Sequence, residues 1–87
     1  MVDDSLLEFP CDFPIKVMGR RADDFQRLVF DIVSRHDPQL SETRLKRRDS
    51  RNGRYLSITV NVHATSQAQL DAIYQELSTH ERVVMML

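Results

Sequence analysis

From Phe13 to Met18 the chain alternates, with Phe13, Ile15 and Val17 on one side and Lys16 and Met18 on the other. A half-buried strand requires this pattern, and Gly19 is expected to end it. Phe25, Leu28, Val29, Ile32 and Val33 then recur at the three-and-four spacing of one helical face. Asp23 or Asp24 is placed to cap this helix, His36 suits the negative pole of its dipole, and Pro38 forbids continuation. The spacing predicts a helix from about Ala22 to Arg35.

Asn52-Gly53 readily adopts the two positive φ angles of a type I′ turn, so it predicts a tight hairpin. With those two residues as the loop, Leu45 faces Val60, Thr43 faces Val62 and Arg47 faces Ile58. Arg44, Lys46 and Arg48 then face Asn61, Thr59 and Ser57. One side of the hairpin is apolar and the other basic. The alternation of Leu56, Ile58, Val60, Val62 and Ala64 supports the same register. Arg47 is the exception on the apolar side, where an edge strand lets its stem pack while the guanidinium reaches water.

Ser66 and Gln69 form a capping box ahead of a second helix, 67–79, whose apolar face is Leu70, Ile73, Tyr74 and Leu77. Val83-Val84-Met85-Met86-Leu87 is a run without alternation, suited to a strand covered on both faces or lying at an interface.

Strand, helix, strand, strand, helix, strand is the order of an α+β, ferredoxin-like βαββαβ sandwich, with a four-stranded antiparallel-type sheet and two helices on one face. Right-handed crossovers place strands one and three, read as parallel, in the middle. On the uncovered face Met18, Val84 and Met86 make an apolar half. Arg44, Lys46, Arg48, Ser57, Thr59, Asn61 and His63 make a basic, polar half. The terminal strand carries little charge at a sheet edge, which is a reason to expect a homodimer.

The length of 87 residues allows one domain. Residues 1–12, with Asp3, Asp4, Glu8 and Asp12, read as an extended N-terminal arm, and 13–87 as the domain. A net charge of −1, from 12 basic and 13 acidic residues, leaves no overall field to draw in nucleic acid or an anionic membrane. No basic-then-apolar leader opens the chain, and its apolar runs fall far short of the ~20 residues that cross a bilayer. With a single cysteine, Cys11, these features lead us to expect a cytoplasmic protein without membrane contact.

Cys11 lies between Pro10 and Pro14 with no histidine close in sequence, so a structural or surface thiol is favoured over a nucleophile. His36, His63 and His80 do not repeat at a metal-ligand spacing, and no cofactor or metal is called for. The basic run around Arg44, Lys46 and Arg48, with Arg51 and Arg54, raises RNA as an alternative partner. RNA recognition motifs stack bases on aromatics of the central strands, however, and here only Tyr55 could stack, so nucleic acid is not favoured. "VMGRRADDFQR" loosely resembles the strand-loop-helix of acylphosphatases, with Gly19, Arg20, Arg27 and Asn61 in the matching roles. Asp23 and Asp24 occupy the cradle meant for an anion and the loop glycine is missing, so a non-enzyme is expected.

"LLEFPCDFPIKVMG", the helix ending at "RHDP", the strand "YLSITVNVHAT" and the closing "VVMML" resemble the YbeD-type family of small bacterial proteins over nearly the whole chain. That resemblance implies a ferredoxin-like fold similar to ACT regulatory domains, no established enzymatic activity, and an association with lipoate metabolism through neighbouring genes. Similarity to ACT domains implies a small-ligand site where the first strand turns into the first helix, at Gly19, Arg20, Arg21 and Asp23. The expected function is a regulatory or adaptor module that senses a small metabolite or binds a protein.

Overall fold

The computed structural model describes residues 8–87, so the first part of the expected arm lies outside the described residues. The elements are β1 (Cys11–Arg20), α1 (Phe25–Ser34), a 3-10 turn (Glu42–Arg44), β2 (Leu45–Asp49), β3 (Tyr55–Ala64), α2 (Gln67–Ser78) and β4 (Val83–Met86). They build a four-stranded sheet in the order β2-β3-β1-β4.

β1 and β3 are central as expected, but they are antiparallel, and so is every neighbouring pair. The expectation of parallel central strands fails for a simple reason. A crossover through a helix makes β1 and β2 point the same way, and the hairpin then reverses the chain, so β3 enters beside β1 running against it.

One parity of each central strand carries the core. Ile15 and Val17 of β1 and Leu56, Ile58, Val60 and Val62 of β3 are buried with Phe25, Val29, Ile32 and Val33 of α1 and Leu70, Ile73 and Leu77 of α2. Both helices therefore cover the same face. Cys11 and Phe13 continue that parity, half-buried against the core, so the Phe-Pro-flanked cysteine is the start of β1.

The hairpin register is as read from sequence: Leu45 opposes Val60, Lys46 opposes Thr59, Arg47 opposes Ile58 and Arg48 opposes Ser57. Its bend differs from the type I′ expectation, because only Gly53 has a positive φ, at 75°. The Gly53 N–H donates to the Ser50 carbonyl at 3.0 Å. The Asn52 side chain accepts from the Arg54 N–H at 3.1 Å, which stabilises its own backbone without a left-handed conformation. Residues 42–44 leave the ladder as the 3-10 turn, so Thr43 does not pair with Val62.

β1 runs through Gly19 to Arg20. At Gly19 the pairing with β4 slips: Val17 opposes Met86, Met18 opposes Met85, and Gly19 opposes Val83. Val84 is the extra residue of a bulge, and the slip changes which side chains face which way. Met86 packs with Val83 against the core, while Met85 stands beside Met18 on the open face. The expected apolar half of Met18, Val84 and Met86 is corrected accordingly.

α1 starts at Phe25, three residues later than expected. Asp24 holds the N-cap position without capping, because its carboxylate faces Arg82, whose guanidinium donates to both oxygens at 2.7 and 3.0 Å. At α2 the Ser66 hydroxyl accepts from the Gln69 N–H at 3.0 Å as expected. The Gln69 side chain does not return to the Ser66 amide; it takes the Thr65 N–H at 2.7 Å and donates to the carbonyls of His36 and His63.

Candidate functional site

The sheet face away from the helices presents Lys16 and Met18 from β1, Tyr55, Ser57, Thr59 and Asn61 from β3, and Lys46 and Arg48 from β2. Two grooves divide it. One, of about 450 Å³, runs between Asp12, Arg44, Lys46, Thr59 and Asn61. The other, of about 480 Å³, lies at the far end of the same strands between Lys16, Met18, Arg48, Arg51, Tyr55 and Ser57.

The basic residues of this face are not equivalent. Arg44 is engaged: its guanidinium donates to the Asp12 carboxylate at 2.6 Å and to the Asn61 carbonyl at 3.0 Å. Lys16, Lys46, Arg48 and Arg51 make no ion pair among the described residues. Asp49, the carboxylate bordering the second groove, is shared by Arg47 at 3.6 Å and Arg21 at 3.9 Å. A chain of net charge −1 thus gathers uncompensated positive charge on one uncovered surface.

Ser57 lies under that charge. Its residue is 8 % exposed, and its hydroxyl has no hydrogen-bond partner among the described residues. Met18 flanks it from β1 and Arg48 from β2, since Ser57 is the register partner of both. The three form one row across the sheet. An orphaned buried hydroxyl costs about 1–3 kcal/mol.

The loop expected to bind a small ligand brings three of its four residues to one cleft. Arg20, Arg21 and Asp23 share a cleft of about 580 Å³ with Gly53, Arg54 and Tyr55 of the hairpin end. The Arg21 N–H donates to the Arg54 carbonyl at 2.9 Å and fastens the loop to the hairpin. Gly19 is not in that cleft. It is buried beneath Phe25, where an added β-carbon would lie 2.5 Å from Cζ of the ring and 2.6 Å from the Arg82 carbonyl oxygen. Its missing side chain makes room for the Phe25 ring. Arg82 stands 6.0 Å from the centre of that ring while its guanidinium pairs with Asp24 and holds the Asp24 carboxyl below the usual carboxylate value.

The acylphosphatase-like residues do not converge. Arg27 is exposed on the outer side of α1, paired with Asp31 at 3.1 Å, and Asn61 is on the opposite side of the sheet. The three histidines are spread among structural contacts, His36 with Glu76 at 2.8 Å and His80 with the Arg82 N–H at 3.1 Å. Among the described residues no three histidine, cysteine, aspartate or glutamate side chains come together.

Sequence reasoning missed Asp37. It is 1 % exposed, and its carboxylate accepts from the Gln39 and His63 amides at 3.1 and 2.9 Å, joining the end of α1 to β3. The signal was present in Asp37-Pro38-Gln39, where an aspartate two residues before an amide can close a turn on itself. This carboxylate is fully occupied by backbone and does not open into either groove.

Two helices on one face of an antiparallel β2-β3-β1-β4 sheet define a ferredoxin-like domain, similar to the fold of ACT domains. Its backbone aligns with the solution structure of protein HP0495 from H. pylori at a TM-score of 0.71, with 20 % identity, covering 100 % of this chain and 94 % of that one. Residues 4–87 match the family described as "Protein of unknown function (DUF493)", and the chain belongs to that family. A UPF0250 protein of Nitrosomonas europaea, NE1487, is 48 % identical over 87 residues, 100 % of both chains. A UPF0250 protein of Janthinobacterium sp. (strain Marseille) is 50 % identical over 84 residues, 97 % of this chain and 92 % of that one. The YbeD-type resemblance of the sequence is thus established, and these relatives carry no enzymatic description.

Proposed function

We propose that this protein is a non-catalytic binding module, a regulatory or adaptor unit that recognises an anionic partner on the open sheet face. The observation that carries the reading is the set of cations Lys16, Lys46, Arg48 and Arg51, unpaired among the described residues, on a surface that no described helix covers. Complementary charge on a partner would supply both steering and register. No helix of the described residues is long and apolar enough to cross a membrane.

β4 supports a homodimer as the working form. Among the described residues it is paired only with β1, and its Val84 and Met85 and the Leu87 that follows it are 57, 51 and 68 % exposed. An edge strand with little charge and exposed apolar side chains favours pairing with a second copy.

The test compares the wild type with a Lys46→Glu/Arg48→Glu double variant against amino acids, nucleotides, lipoate precursors and acidic peptides. At least one anionic compound should bind the wild type in a salt-sensitive way and bind the variant at least tenfold more weakly. Binding indifferent to charge reversal, or no binding by the wild type, contradicts the reading.

A further inference from the structure

We infer that the groove over Ser57 is a binding site for the phosphoryl group of a small phosphate monoester. This rests on the reading of the open face as the recognition surface and assigns one end of it a chemistry.

Three observations converge there. Lys16 from β1, Arg48 from β2 and Arg51 from the hairpin border one groove, so positive charge arrives from three separate elements. The one carboxylate on the rim, Asp49, is already shared by Arg21 and Arg47. Ser57 lines the same groove, and its hydroxyl is buried and has no partner among the described residues. It is the one buried side-chain polar atom of the described residues without a partner, and an acceptor from outside the chain would satisfy it.

The distribution of the donors selects the anion. A carboxylate is flat and is served by one guanidinium in its plane, whereas a phosphomonoester carries close to two charges and three acceptor oxygens. Cations from two strands and a turn, with Ser57 in the same groove, match the second. Met18 and Tyr55 supply the apolar walls for the organic part of the ester. The groove volume of about 480 Å³ is in the range of small-molecule sites.

Binding consists of ion pairing and hydrogen bonding, with the Ser57 O–H donating to a phosphoryl oxygen. No covalent step is involved.

The experiment titrates the wild type, Ser57→Ala, Arg51→Gln and Lys46→Gln with inorganic phosphate, glycerol phosphate and succinate, following amide signals and melting temperature. Glycerol phosphate should perturb the Lys16, Arg48 and Ser57 amides and bind more tightly than inorganic phosphate and at least tenfold more tightly than succinate. Ser57→Ala and Arg51→Gln should each weaken it about tenfold, and Lys46→Gln, in the other groove, by less than twofold. The free Ser57→Ala protein should melt no lower than the wild type, because the change removes an unpaired polar atom; this separates loss of a ligand contact from loss of fold. Tighter binding of inorganic phosphate than of the ester would reassign the site to free phosphate and overturn the monoester. Equal affinity for succinate, or binding unaffected by Ser57→Ala, overturns the assignment. If the Lys46 change weakens an anion while the Ser57 and Arg51 changes do not, the groove proposal fails and the open-face reading stands.

Discussion

The Phe25 ring lies directly against the α-carbon of Gly19, in space that a β-carbon would claim. The first turn of α1 is thereby seated on β1 at the point where β4 bulges, with the Arg82 carbonyl closing the third side. Gly19→Ala should destabilise the protein by about 1–3 kcal/mol through overpacking. At about 4–8 °C per kcal/mol for a domain of this size, thermal unfolding will show it clearly. Gly53→Ala meets no atoms but inherits a φ of +75°. Its cost should therefore come from backbone strain alone, about 1 kcal/mol.

The Asp24–Arg82 pair joins the start of α1 to the start of β4, and hydrogen bonding to Arg82 lowers the Asp24 pKa. A carboxyl whose pKa is lower folded than unfolded adds stability above its unfolded pKa and loses it as pH falls through the folded one. The pair is exposed, so the effect should be small. Asp24→Asn should melt slightly below the wild type at neutral pH, and the two curves should merge below the usual carboxylate range. A gap that persists in acid would show that the carboxylate charge is not its source.

Gln69 binds the Thr65 amide with its carbonyl oxygen and the His36 and His63 carbonyls with its nitrogen. Gln69→Ala leaves those backbone groups without their partner, at about 1–3 kcal/mol. Gln69→Glu keeps the acceptor but removes the donor and places a negative charge against two carbonyls. It should be no more stable than the alanine variant, and denaturant midpoints measure the difference.

These particulars show what the sequence made legible. Alternation and turn chemistry act between near neighbours, so the core faces of both helices, the hairpin register and the basic side of β2 could be read directly. The β4 bulge could not, because Val83 to Leu87 is apolar throughout and a one-residue slip leaves no trace in such a run. Asp24 read as a cap because its partner Arg82 is 58 residues away. Gly19 read as a site for close ligand approach, and the approaching group is Phe25. Ser57 stood among the open-face residues by alternation, but its burial follows from Met18 and Arg48 lying on both sides of it, which is a property of three strands together.

The exposed β4 edge predicts concentration-dependent self-association. Met85→Lys places a charge on that edge without disturbing the core and should shift sedimentation equilibrium toward the monomer, with an unchanged melting temperature at low concentration. A wild type that remains monomeric up to millimolar concentration contradicts the dimer.

The central claim is that the uncovered sheet face, and not the loop from Gly19 to Asp23, is where this protein meets its partner. Amide chemical-shift mapping of the wild type with a bound anionic ligand tests it most directly. The prediction is a set of perturbed residues on the open face that includes Lys16, Arg48 and Ser57; perturbation confined to Arg20, Arg21 and Asp23 would contradict it.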